Sequence, residues 1–163
     1  MFLRILYILL LFSNVCHSQL SSKHWIPPLH CRDASSVGDH YLYLSTQETT
    51  PFQVTVKDGA DNPIGLGTYT ISSATPVTIN LGSGQNTKMF VGQENVNIVL
   101  TDKGIILEGS KDFYVSFRVR SQNHAEMLVS KGRPGIGTSF RLGHIINESF
   151  DPRKSFVTSV MAT

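Results

Sequence analysis

Phe113-Tyr114-Val115-Ser116-Phe117-Arg118-Val119-Arg120 is the stretch whose reading decides the fold. Phe113, Val115, Phe117 and Val119 occupy every second position, with Tyr114, Ser116, Arg118 and Arg120 between them. Successive side chains of a strand take opposite faces, so the run spells a strand with one dry and one wet side. A helix would scatter the same four apolar residues around its circumference. Working outward, Ile105-Ile106-Leu107 precedes it across Glu108-Gly109-Ser110-Lys111-Asp112, whose turn-rich composition predicts a hairpin. Glu126-Met127-Leu128-Val129 follows across Gln122-Asn123-His124, which completes an expected three-stranded meander over residues 104–130.

Other segments repeat the strand signal. Tyr41-Leu42-Tyr43-Leu44-Ser45 is apolar on both faces and reads as an interior strand; Phe52-Gln53-Val54-Thr55-Val56-Lys57 alternates with Phe52, Val54 and Val56 inward. Residues 58–63 carry turn chemistry, and Gly65-Leu66-Gly67 reads as an open loop. Short strands are expected at 68–72 and 76–81, a turn at 82–86, and a further pair at 87–91 and 96–100. Residues 131–137 hold too much Gly and Pro for a regular element, while 138–142 and 155–162 regain strand character. About ten short strands without an amphipathic helix predict an all-β chain, an antiparallel β-sandwich.

The amino terminus reads as a leader. Met1-Phe2-Leu3-Arg4 is a short basic start, residues 5–12 are apolar, and Cys16 and Ser18 stand as small residues before Gln19. This is the form of a cleaved secretory signal peptide over 1–18, and eight apolar residues are too few to span a bilayer. Its removal leaves 145 of 163 residues, enough for one domain with its own core. Residues 19–40 read as an extended lead-in, because Pro27-Pro28 lack amide donors and cannot join a central ladder. The sandwich domain is expected over 41–163. Its close, Phe156-Val157-Thr158-Ser159-Val160-Met161-Ala162-Thr163, stops inside an apolar run, so the sequence suggests the front of something longer.

Charge and cysteine content narrow the classes further. Arg4 departs with the leader, so 14 basic residues become 13 against 12 acidic ones. That near balance speaks against nucleic acid as a partner and against a polybasic membrane surface. Cys31 alone survives cleavage, so the domain must stand on its hydrophobic core, with Cys31 expected as a small buried hydrophobe.

Lys23-His24-Trp25-Ile26-Pro27-Pro28 and Tyr41-Leu42-Tyr43-Leu44-Ser45-Thr46 resemble the start of large secreted surface proteins of Bacteroidetes. Leu128-Val129-Ser130-Lys131-Gly132, Gly137-Thr138-Ser139-Phe140-Arg141-Leu142-Gly143 and the closing segment continue the likeness over essentially the whole mature chain. More distantly, the chain is similar to the amino-terminal domain of IgGFc-binding proteins. The resemblance implies an extracellular, gliding-motility-associated or adhesive module of the type IX secretion kind, with no catalytic residue to carry over. It marks Lys131, Gly132, Gly137, Thr138, Phe140 and Arg141 as a family-motif loop.

The candidate chemistry is sparse. His24, His30, His40, His124 and His144 sit at no zinc-ligand spacing. Cys31 lacks a helix terminus to activate it, and no Gly-x-Ser-x-Gly elbow occurs. Gly132-Arg133-Pro134-Gly135-Ile136-Gly137-Thr138-Ser139 has the look of a phosphate loop but misses its Lys and the following helix. Asp58-Gly59-Ala60-Asp61-Asn62 offers only part of a calcium shell. Asn147-Glu148-Ser149 has the form of a glycosylation sequon. What remains is the wet face of the central strand, where Tyr114, Arg118 and Arg120, with Trp25 from the lead-in, have the composition of a binding surface.

The expectation is therefore a secreted or cell-surface β-domain that is not an enzyme and needs no cofactor or metal. It would bind a protein or glycan and have no membrane span in its mature chain. A carbohydrate-binding module or accessory domain of a secreted hydrolase is the competing expectation.

Overall fold

The structure is a computed structural model that describes residues 19–30, 37–84, 87–121, 124–141 and 158–162. The expected signal peptide, Cys31 and the sequon lie outside the described residues. Nine strands are present among them: β1 (Ser21–Ile26), β2 (Leu29–His30), β3 (Asp39–Ser45), β4 (Phe52–Asp58), β5 (Pro63–Ile71), β6 (Val77–Ser83), β7 (Phe90–Val91), β8 (Ile105–Ser121) and β9 (His124–Val129). The helical content there is two three-residue 3-10 turns, Gln93–Asn95 and Arg133–Gly135. Among the described residues no helix is long and apolar enough to cross a membrane.

The fold is all-β and sandwich-like, and β8 runs through both of its leaves. The first length of β8 pairs antiparallel with β1 and β4, and β4 pairs onward with β5. Its second length pairs antiparallel with β3 and β9, and β3 pairs onward with β6. A small parallel pair, β2 with β7, lies apart from this sheet. The alternation that identified the strand holds on either side of residues 108–112: Ile105, Leu107, Phe113, Val115, Phe117 and Val119 are all buried. They meet Leu42 and Leu44 of β3, Val54 and Val56 of β4, and Ile71, Ile79 and Phe90 in one apolar cluster. Ring contacts knit its middle, with Phe52 and Phe113 centroids 6.4 Å apart and Phe90 and Phe117 5.8 Å apart.

The expected hairpin at residues 108–112 does not form; those residues lie inside the 17-residue β8. Their composition suits a turn, but the ladder to β4 continues through Glu108 and Gly109. On the β1 side the register jumps from Lys23↔Glu108 to Ser21↔Phe113, so the polar stretch becomes an irregular crease between the leaves. Gly109 permits it: a Cβ there would lie 3.0 Å from the Phe113 ring, 3.1 Å from that of Phe52 and 3.2 Å from Val54. The Thr46 hydroxyl closes the crease by donating to the Asp112 carbonyl at 2.9 Å.

Four further expectations are corrected. The lead-in is not outside the ladder: Ser21–Ile26 is β1, with His24 and Ile26 buried, and the prolines interrupt the chain only after it. Residues 65–67 are strand rather than open loop, with Gly65 and Gly67 at φ of 61° and 73° bending β5. Only Phe90–Val91 of the pair expected at 87–91 and 96–100 is strand; Asn97 sits at φ 65°, and Ile98 and Val99 are exposed. Residues 138–141 and 158–162 are not strand either, since among the described residues no neighbouring strand supplies their backbone with a ladder.

Candidate functional site: an outer cleft between two strands

The burial of Leu42 and Leu44 turns the alternate residues of β3, Tyr41 and Tyr43, to the outer face. The antiparallel register sets Tyr41 beside Arg118 and Tyr43 beside Ser116, while His40↔Val119 places Asp39 level with Arg120. Gly38, Asp39, Tyr41, Tyr43, Arg118 and Arg120 line a cleft of about 420 Å³. The two tyrosine rings stand 6.4 Å apart at 45°. The Tyr41 hydroxyl donates to Asp39 Oδ2 at 3.2 Å, and the adjacent carboxylate raises the phenol's pKa. Gly38 gives its amide to the Arg120 carbonyl at 2.7 Å, an approach that leaves no room for a side chain. Neither Arg118 nor Arg120 has an ion pair among the described residues.

The surface expected from sequence is thus divided. Arg118 and Arg120 share this cleft, whereas Tyr114 stands beyond it opposite Ser45, taking a 3.4 Å hydrogen bond from Gln47 Nε2. Trp25 is on the other leaf, opposite Ile106, with Lys23 Nζ 5.3 Å from its ring centroid. There it lines a more apolar groove of about 650 Å³ together with Lys131, Gly132, Gly137 and Phe140 of the motif loop. Residues 158–162 form part of that groove's wall. Thr138 and Arg141 are exposed and do not line it. Sequence reasoning missed Asp39, Tyr41 and Tyr43 as site residues. Their signal was the parity of β3, whose wet face becomes continuous with that of β8 only once the two strands pair.

His24 and His40, both buried, are engaged in holding the fold. His24 Nε2 lies 3.0 Å from the Ser21 carbonyl and 2.9 Å from that of Phe113, while Nδ1 lies 2.9 Å from Ser130 Oγ. Two carbonyl neighbours assign the proton to Nε2, so the Ser130 hydroxyl donates to Nδ1. A serine beside an imidazole is the spacing of a nucleophile and its base. Here, however, His24 is fully buried, its burial lowers its pKa, and the Ser130 oxygen also accepts the Gly132 amide at 3.3 Å. The pair fastens β1 to the chain leaving β9. His40 is fixed in the same way, donating from Nδ1 to the Gly38 carbonyl at 3.0 Å and accepting at Nε2 from Thr87 at 2.9 Å. Burial lowers its pKa too, and Phe90 packs edge-on at 4.9 Å.

The loop considered for calcium is organised around a lysine. Asp58 accepts from the Ala60 and Asn62 amides at 2.9 Å each and meets Lys88 Nζ at 2.8 Å. Burial alone would raise its pKa, but the Lys88 ammonium and these donors outweigh that and lower it to about 2. Asp61 pairs with Lys57 at 3.5 Å. Among the described residues no group of three or more His, Cys, Asp or Glu is placed to hold a metal ion.

What the fold defines is an all-β domain with a polar, aromatic-lined outer cleft. No protein-family model, curated protein or solved structure matches this chain.

Proposed function

We propose that this chain is a non-catalytic extracellular β-domain of a cell-surface protein, an adhesive or gliding-motility-associated module that holds a protein or glycan. The observation that carries the reading is the outer cleft, where two arginines without ion pairs among the described residues stand beside two tyrosines. Tyrosine and arginine are, with tryptophan, enriched among the few side chains that dominate binding energy, and strands paired on both sides hold them in place before a partner arrives. The leader-like residues 1–18 and the likeness to secreted surface proteins support an extracellular location. The second reading, a carbohydrate-binding module or a hydrolase's accessory domain, is favoured by the neighbouring faces of Tyr41 and Tyr43.

The test is binding of the labelled chain to cell-envelope fractions and extracellular polymers. Saturable binding that falls in the double variant Arg118→Gln/Arg120→Gln supports the proposal. Turnover of a glycoside, ester or peptide panel by the purified chain, or binding untouched by the double variant, overturns it.

A further inference from the structure

We propose that the cleft between β3 and β8 takes an acidic saccharide, a sugar unit bearing a carboxylate, as its ligand. The inference rests on the reading of this cleft as the binding site and names the chemistry that it recognises. Its volume of about 420 Å³ lies within the range of about 300–1,000 Å³ typical of small-ligand sites.

Three features point to this ligand together. Arg118 and Arg120 are exposed, two positions apart on one face of β8 and free of ion pairs among the described residues. A guanidinium fork matches a carboxylate with two parallel hydrogen bonds, so this pair asks for an anion. Tyr41 and Tyr43 line the same cleft with flat apolar rings, which suit the C–H face of a pyranose. Asp39, level with Arg120, brings an acceptor-only carboxylate to the end of the cleft, with one oxygen already receiving the Tyr41 hydroxyl.

Asp39 decides between anions. An acidic peptide brings a carboxylate on every side chain and only backbone amides as donors, so its charges would meet Asp39 as repulsion, and a fully ionised inorganic anion brings no donor at all. A uronic-acid-type sugar presents hydroxyl donors a few ångströms from its carboxylate, so one unit can satisfy Asp39 and the arginines at once. A neutral sugar would use Asp39 and the tyrosines but leave both guanidinium groups without a counter-charge. The site therefore fits a ligand that carries an anion, several hydroxyls and an apolar face on one ring.

The experiment is calorimetric titration of the chain with oligogalacturonate and oligoglucuronate. Neutral galactose and glucose oligomers and an oligoglutamate peptide serve as comparisons. Binding of an acidic oligosaccharide at least about tenfold tighter than its neutral counterpart is expected, weakening as salt rises. Arg118→Gln and Arg120→Gln should each weaken it about fivefold or more and flatten the salt dependence. Trp25→Ala, on the other leaf, should leave it unchanged. Urea unfolding of each variant with the parental midpoint verifies that the Gln substitutions act on binding. Equal affinity for neutral oligomers, equal affinity for the peptide, or insensitivity to both arginine changes overturns the inference. Binding to cell envelopes that needs Arg118 and Arg120, with no acidic oligosaccharide bound, overturns the ligand assignment and leaves the binding-domain reading standing. Loss of both kinds of binding overturns both.

Discussion

Lys88 Nζ lies 2.8 Å from Asp58 Oδ2, and the aspartate side chain is 1% exposed. The same ammonium reaches the Asp102 carboxylate at 3.3 Å, so one lysine ties the turn after β4 to the loop before β8. Gly59 lets the two loops touch, since a Cβ there would lie 2.6 Å from the Lys103 carbonyl. Removing the lysine would leave a buried carboxylate dependent on the Ala60 and Asn62 backbone amides and the Asn62 side-chain amide, all uncharged donors.

Lys88→Met should therefore destabilise the fold by about 1–3 kcal/mol, the cost of leaving a charged buried acceptor short of a partner. Asp58→Asn should recover part of that loss in the Lys88→Met background, because the amide oxygen can still accept from Ala60 and Asn62. Urea midpoints of the single and double variants measure both effects. Equal stability of Lys88→Met and the parent would show the pair to be energetically idle.

Acidification should weaken the fold in two separate steps. His24 and His40 have pKa values lowered by burial, so the unfolded chain binds their protons first. Their contribution is intact above the unfolded value of about 6.5 and declines as pH falls below it. Asp58, lowered to about 2, contributes fully above the unfolded carboxylate value near 3.8 and loses that contribution as pH falls toward 2. Urea unfolding across pH 7.5 to 2.5 reads both steps, and His40→Gln should shrink the first alone. A midpoint unchanged between pH 7.5 and 5 would contradict the histidine assignment.

Gly109→Ala should cost about 1–3 kcal/mol, the range for overpacking a filled site, because Phe113, Phe52 and Val54 already enclose the position. Ser110→Ala, at the exposed neighbouring residue, should stay within about 0.5 kcal/mol of the parent. Thermal unfolding of the two proteins side by side checks the contrast.

His24→Phe should fill the same space yet destabilise by roughly 2–4 kcal/mol, since it strands the Ser21 and Phe113 carbonyls and the Ser130 hydroxyl. Ser130→Ala should cost about 1 kcal/mol, a single hydrogen bond's worth. Denaturant titration orders the two; a greater loss from Ser130→Ala would refute the fastening role assigned to the imidazole.

How far the sequence could be read follows from the range of the forces involved. Side-chain alternation is local, so the inward faces of β4 and β8 were legible from Val54, Val56, Val115 and Phe117, whereas residues 41–45, apolar on both faces, showed no preferred side in sequence. Turn composition is local as well, but at residues 108–112 it lost to the ladders on either side of β8. At Ile98 and Val99 the reverse happened: apolar, β-favouring residues found no neighbouring strand and stayed exposed. Of the cleft, Arg118 and Arg120 were visible as a wet strand face. Asp39, Tyr41 and Tyr43 could join them only through a pairing between residues more than seventy positions apart.

The order of residue types along this chain was enough to determine an all-β class and which side of its main strand is dry, because a pleated backbone turns every second side chain inward. Tertiary structure alone decided that β8 is one creased strand shared by two leaves, that residues 21–26 belong to the sheet, and that Trp25 and Arg118 face different surroundings. Those outcomes depend on which distant backbone amides and carbonyls find one another, and that choice is made by the packing of the whole core.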